Sequence, residues 1–199
     1  NYSHISPDKA PDIIELRFNA NQPQSSILIH NKSYWGIELE AHPSASNTGS
    51  AYQNHGRLQL GIIDTSGGPH FTSSAWHPLF DNDWWNLQLG INEAKIFNVH
   101  LKKSADHSNG KITHSEKIAW DLTGNAYSPY NFWDEAIVPH VLNIGKLNSY
   151  AQWRWPYKAG IVEEQDGFTG SMQELRYWAF SDNTILSDAA FDNHVLSPL

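Results

Sequence analysis

The chain has 199 residues, 40% of them hydrophobic and 13% aromatic, enough to build a packed core without covalent staples. Only 17% are charged, the formal net charge is −8, and the 13 Lys and Arg residues form no basic cluster, which argues against nucleic acid and anionic membrane as partners. Cysteine is absent, which excludes a disulfide framework and thiolate metal sites, and no apolar run approaches the ~18 residues that a membrane span needs. No charged-then-apolar signal segment is present. Beginning on Asn1 rather than Met, the chain is expected to be a processed form or a segment of a longer protein.

Strand-length runs of period two follow one another along the chain. "IIELRF" sets Ile14, Leu16 and Phe18 on one face, and "YWGIELE" sets Trp35, Ile37 and Leu39 opposite Gly36, Glu38 and Glu40. "GRLQLGIID" aligns Leu58, Leu60 and Ile62. "WWNLQLGI" alternates Trp85, Leu87, Leu89 and Ile91 with Asn86, Gln88 and Gly90. "KIFNVHLK" aligns Phe97, Val99 and Leu101, and "KITHSEKIAW" aligns Ile112, Ile118 and Trp120 with His114 and Glu116 between them. The intervening "SADHSNGK" reads as a hairpin tip. "YAQWRWPY" aligns Trp153, Trp155 and Tyr157, and "FTGSMQELRYW" turns at Gly170 before a last strand. Stretches such as "NANQPQSS", "HPSASNTGS", "DTSGGPH", "LTGNAYSPYN" and "EEQDG" separate them with turn chemistry.

One segment reads as a helix. Ser187 is its candidate N-cap, Asp188 lies in the first turn where the helix dipole favours a negative charge, and Leu186 and Phe191 stand at hydrophobic-staple positions. Phe191 and Val195 share a face at i, i+4, and Pro198 discourages continuation. No composition shift marks a boundary, and no roughly 20–50-residue period repeats. A single all-β domain over residues 1–199 is expected, an antiparallel two-sheet sandwich or jelly roll with one short C-terminal helix.

"PLFDNDWWNLQLGI" and "FTGSMQELRYWAFSDNTILSDAAFDNH" resemble the laminin G-like modules of the concanavalin A-like jelly-roll superfamily. Such modules carry a mid-chain strand opening on Trp, here Trp84 and Trp85. They also carry a late strand of the form Phe-x-Gly-x-apolar-x-acidic-x-Arg, followed by a short helix with an aromatic and a His. The resemblance runs from about Leu16 to Val195 and implies a central sheet position for the late strand. It also implies a fold that hosts lectins, adhesion modules, glucanases and virion or fibre domains, so fold alone leaves function open.

Glycosidases place two carboxylates across the scissile bond. The laminarinase-type enzymes of this superfamily carry Glu-x-Asp-x-x-Glu or Glu-x-Asp-x-Glu on one strand. Glu38 and Glu40 lack the middle Asp and the third acid, and are expected on a solvated strand face; Glu163, Glu164 and Asp166 read as a polar loop. None of the eleven His falls in a recognised ligand spacing, although His100 and His114 could meet across a hairpin tipped by His107 if the register allowed; otherwise they are surface residues. The resemblance implies a possible calcium ion, for which Asp64, Asp81 and Asp83 are the turn acids on offer; no other cofactor is expected. Nucleophilic catalysis has no foothold, without Cys or a Gly-x-Ser-x-Gly elbow, and "TSGGPH" lacks the Lys and helix of a phosphate loop.

Nine Trp and eight Tyr remain as the chemical asset. "SPYNFWDE" and "SYAQWRWPYK" set Tyr130, Trp133, Trp153, Trp155 and Tyr157 beside Asn131, Asp134, Gln152 and Arg154. Flat aromatics cover the C–H face of a sugar while amide, carboxylate and guanidinium groups satisfy its hydroxyls. The same alternation also fits a core strand. Asn1-Tyr-Ser3 and Asn31-Lys-Ser33 match glycosylation sequons, relevant only in a eukaryotic secretory host. The first expectation is a non-catalytic module recognising a glycan, outside a cell or on a virion. The alternative is a structural domain of a fibre, capsid or appendage, where the same aromatics meet neighbouring chains. A glycoside hydrolase ranks third.

Overall fold

The computed structural model describes residues 13–31, 35–62, 70–72, 75–91, 96–104, 111–121, 142–145, 168–178 and 188–196. Among them are ten strands and one helix: β1 (Ile13–Ala20), β2 (Ser26–Asn31), β3 (Trp35–Ala41), β4 (Gly56–Ile62), β5 (His70–Thr72), β6 (Trp84–Ile91), β7 (Ile96–Ser104), β8 (Ile112–Asp121), β9 (Leu142–Ile144), β10 (Gly170–Trp178) and α1 (Asp188–Leu196). The protein is all-β, its described residues forming antiparallel sheets and one short helix over Asp188–Leu196. The strands expected over "IIELRF", "YWGIELE", "GRLQLGIID", "WWNLQLGI", "KIFNVHLK" and "KITHSEKIAW" are present. Three strands, β2, β5 and β9, have no counterpart in the sequence reading: β5 and β9 are three residues each, too brief for alternation to stand out, and β2 buries Ile27, Leu28 and Ile29 in succession and so shows no alternation. "YAQWRWPY" lies outside the described residues.

The chain falls into two compact units. The first holds a five-stranded sheet ordered β5-β4-β3-β2-β9. Its apolar parity is fully buried at Ile37, Leu39, Leu58 and Leu60, as the period of two requires. Register fixes the other parity: Glu38 stands opposite Gln59, and Glu40 opposite Arg57.

The second unit holds a sheet ordered β10-β1-β6-β7-β8, with α1. Leu16 lies opposite Leu87, Leu87 opposite Leu101, and Phe18 opposite Trp85, so one face is a continuous band of buried apolar side chains. The residues between them form the other face. There Phe191 and Val195 of α1 are buried, Phe191 against His100 and under the Lys102 ammonium, whose nitrogen is 4.9 Å from the ring centroid. The i, i+4 pairing of Phe191 and Val195 therefore anchors the helix, and burial of each such side chain stabilises it by about 1.5–3 kcal/mol. Ser187 and Leu186 lie outside the described residues. β10, expected at a central position, is an edge strand among the described residues, with Ser171 and Gln173 exposed on it. A strand with polar residues on both parities suits an edge better than a position flanked on both sides.

Candidate functional site

Two polar clusters stand out, one in each unit. In the second unit, register builds two polar rows across the face that carries α1. Arg17, Asn86, Lys102 and Ser115 follow one another across β1, β6, β7 and β8, and so do Glu15, Gln88, His100 and Lys117. Glu15, Arg17, Asn86, Gln88 and Lys102 are all buried. Their charges are matched from within the unit. Arg176 lies 3.7 Å from Glu15 and 3.3 Å from Glu174, and Arg17 lies 3.7 Å from Glu174. Glu15 also accepts from Gln88 Nε2 at 3.0 Å and from His194 Nδ1 at 2.9 Å, while Lys102 pairs with Asp192. The helix is thus tied to the sheet by two polar contacts flanking its apolar anchors. Glu174 adopts φ 57°, a left-handed conformation costing a residue with a Cβ about 1–2 kcal/mol. The two arginines that hold its carboxylate offset that cost.

The first unit carries a different cluster, assembled on the outward parity of β3 and β4 and on the loop between them. Arg57 Nε donates to Glu40 Oε2 at 2.5 Å, and Gln59 Nε2 donates to the same oxygen. The Arg57 guanidinium lies over the Trp76 ring, 4.4 Å from its centroid. Trp76 meets His42 edge-on at 4.6 Å, His42 stacks flat on Tyr52 at 4.1 Å and 13°, and His55 meets Tyr52 edge-on at 5.8 Å. Tyr52 is 44% exposed.

Local hydrogen bonds fix this arrangement. Residues 42–55 close on themselves: His42 N–H donates to the carbonyl of His55 at 2.9 Å, Asn54 N–H to that of Ala45 at 2.9 Å, and His55 N–H to that of Tyr52 at 3.0 Å. Tyr52 N–H donates to Ser50 Oγ and Gly49 N–H to Gln53 Oε1. Gly49 at φ 80° and Asn54 at φ 61° supply the left-handed positions that such turns need. Trp76 is placed by its neighbour: His77 and Gly56 exchange two backbone hydrogen bonds of 2.8 Å. Gly56 permits this approach, because a Cβ there would stand 2.6 Å from the Phe80 ring and 3.0 Å from the Glu40 carbonyl oxygen.

Several expectations require correction. Glu38 and Glu40 do not lie on a solvated face: Glu38 is buried, and Glu40 is half-buried and held by Arg57 and Gln59. His100 and His114 do not meet, because β7–β8 register pairs His100 with Lys117 and His114 with Lys103, which puts the two rings on opposite faces. Nor are they surface residues. Both are half-buried, His114 against Trp85 at 5.1 Å and His100 against Phe191. Asp81 Oδ1 accepts from the Asp83 N–H and so closes a turn. Asp64, His107, Glu163, Glu164 and Asp166 lie outside the described residues. So do all the expected sugar-contacting residues: Tyr130, Asn131, Trp133, Asp134, Gln152, Trp153, Arg154, Trp155 and Tyr157.

Tyr52, His42, His55, Arg57, Gln59 and Trp76 went unnoticed in the sequence. Their signal was there: "HPSASNTGSAYQNHGR" sets an aromatic and two His in a turn-rich link between two strands with polar residues on one parity. No helix among the described residues is long and apolar enough to cross a membrane. Comparison with known proteins finds no matching family model and no matching curated protein.

Proposed function

We propose that this chain is a non-catalytic binding or adhesion module that recognises a glycan, with the jelly-roll architecture of a laminin G-like domain, displayed outside a cell or on a virus particle. The observation that carries this reading is the exposed ring of Tyr52, stacked on His42 at one end of a chain of contacts that runs through Trp76 to Arg57 and its partner Glu40. An exposed aromatic in a cluster that also holds a half-exposed carboxylate and guanidinium has the chemistry that a pyranose ring calls for. The jelly-roll reading is supported by strand order. Each five-stranded sheet mixes early, middle and late strands, as Greek-key connections do. Non-catalytic is the better reading because Glu40 is engaged by Arg57, and Glu15 and Glu174 by Arg176. A hydrolase instead keeps an acid and a base free to face the scissile bond.

The test is a glycan array probed with and without calcium. The wild type would be run beside Tyr52→Ala and beside a Trp133→Ala, Trp155→Ala double variant, each checked for folding by circular dichroism. Wild-type binding lost in Tyr52→Ala is the expected result. Loss confined to the double variant would move the site to the 130–157 aromatics. Silence across the array would replace this reading with that of an assembly domain whose partners are neighbouring protein chains.

A further inference from the structure

We propose that α1 is a strap that lets go of the second unit's sheet as one piece while the sheet stays folded, and that its release lays bare the Lys102 ammonium. Both partners of that ammonium among the described residues belong to α1: the Asp192 carboxylate, and the Phe191 ring with its centroid 4.9 Å away. The sheet offers no substitute. Lys102 stands between Asn86 and Ser115 across the strands, and both are uncharged. Glu15 is the opposite case. It is held by Gln88 and Arg176 of the sheet as well as by His194 of α1, so it keeps partners when the helix leaves.

Docking is a close balance. On one side stand two buried apolar side chains, Phe191 and Val195, and the polar links through Asp192 and His194. On the other stands the burial of a lysine. Lys102 is only 3% exposed, and a strongly hydrated ammonium gives up its water at a cost that one ion pair often fails to offset. The Asp192 side chain is 40% exposed, and water around it weakens the attraction further. Nor does α1 hold its own shape. It has nine residues, fewer than the roughly 12–15 that an isolated helix needs, so release and unwinding are one event. β6 and β7 are fastened differently, by Leu87, Leu89, Val99 and Leu101 in a continuous buried band. Elements with few buried apolar contacts are the ones that open first.

The experiment is native-state hydrogen exchange of the whole chain in sub-denaturing urea, read by mass spectrometry, with brief pulses of acetic anhydride under the same conditions. An unprotonated amine adds to one carbonyl of the anhydride, acetate leaves, and the amine's proton goes to solvent. The expected result is that α1 amides exchange about tenfold faster than those of β6 and β7, or more. Lys102 should be acetylated at the rate at which α1 opens, well behind the exposed Lys117. Two variants separate a costly ammonium from a simple stabilising ion pair. Asp192→Asn should speed α1 exchange about tenfold, whereas Lys102→Met, which removes the charge and keeps the bulk, should slow it by a similar factor. Phe191→Ala should speed it most, by about a hundredfold. Each variant is read against its own β6 and β7 amides, so that global unfolding is not mistaken for release. Wild-type α1 exchanging in step with β6 and β7 at every urea concentration would overturn the strap, as would Lys102 acetylated as fast as Lys117. Faster α1 exchange in Lys102→Met would overturn the part given to the ammonium.

Discussion

The two polar clusters are made from the same residue types and put together in opposite ways. Around Glu15, on the α1 face of the second unit, the charged groups are buried and face one another; carboxylates and guanidinium groups alternate, and a helix covers them. Around Tyr52, in the first unit, the charged pair is half-exposed and each partner uses only part of its hydrogen-bonding capacity, while a self-closed loop holds the rings in place. Pairing of opposite charges under a cover is the arrangement of a cluster that holds an element in place, since a buried charge without its partner is very costly. Rigid support beneath a half-exposed pair is the arrangement that the proposed recognition role would use, because nothing then needs ordering when a ligand arrives. Polar residues on a sheet face therefore say little about role until their partners are known.

Breaking the first cluster should have the largest effect. Glu15→Ala leaves Arg176, His194 and Gln88 facing a void where a carboxylate stood, and should lower the unfolding free energy by about 3–5 kcal/mol in urea titration. Under the proposed glycan reading, the protein that remains folded should bind glycan as the wild type does; a parallel loss of affinity would erase the contrast. Gly56→Ala should fall between the two clusters. Its methyl group drives into the Phe80 ring and the Glu40 carbonyl, costing about 1–3 kcal/mol, and it displaces Glu40 and Trp76 together, so both melting temperature and affinity should drop. Tyr52→Ala should be the mildest for the fold, within about 0.5 kcal/mol of wild type, because the ring is exposed and its support comes from the loop backbone. A shift of several degrees in its melting temperature would show that Tyr52 contributes to packing.

Much of the fold was legible because it is local. "WWNLQLGI" alternates so strictly that β6 and its buried parity follow from the pattern alone, and the spacing of Phe191 and Val195 gives the helix its face. What alternation could not reveal is what covers the opposite parity. Glu38 and Glu40 look like a wetted face in sequence, and only the register with Gln59 and Arg57 shows otherwise. The same limit applied to His100 and His114, whose separation depends on a one-residue choice of pairing. The Tyr52 site was hidden for a different reason: its members are scattered from Glu40 to Trp76, and an Ala–Tyr–Gln sequence within a loop carries no periodic signal. The dense aromatics at 130–157 stand out instead, because clustering in sequence is plainer than clustering in space.

The loop of residues 42–55 draws its hydrogen bonds from its own backbone and from its own Ser and Gln side chains, and it stands between two paired strands whose register is continuous from Ala41–Gly56 to Trp35–Ile62. Such a segment is mechanically separate from what it displays. Ser46, Ala51 and Gln53 are exposed on it, and exchanging Ser46 or Ala51 leaves the backbone hydrogen bonds untouched. Ligand preference can thus vary, by natural drift or by a randomised library, while the sheet beneath stays the same. A chain of this kind can acquire new tastes without learning to fold again.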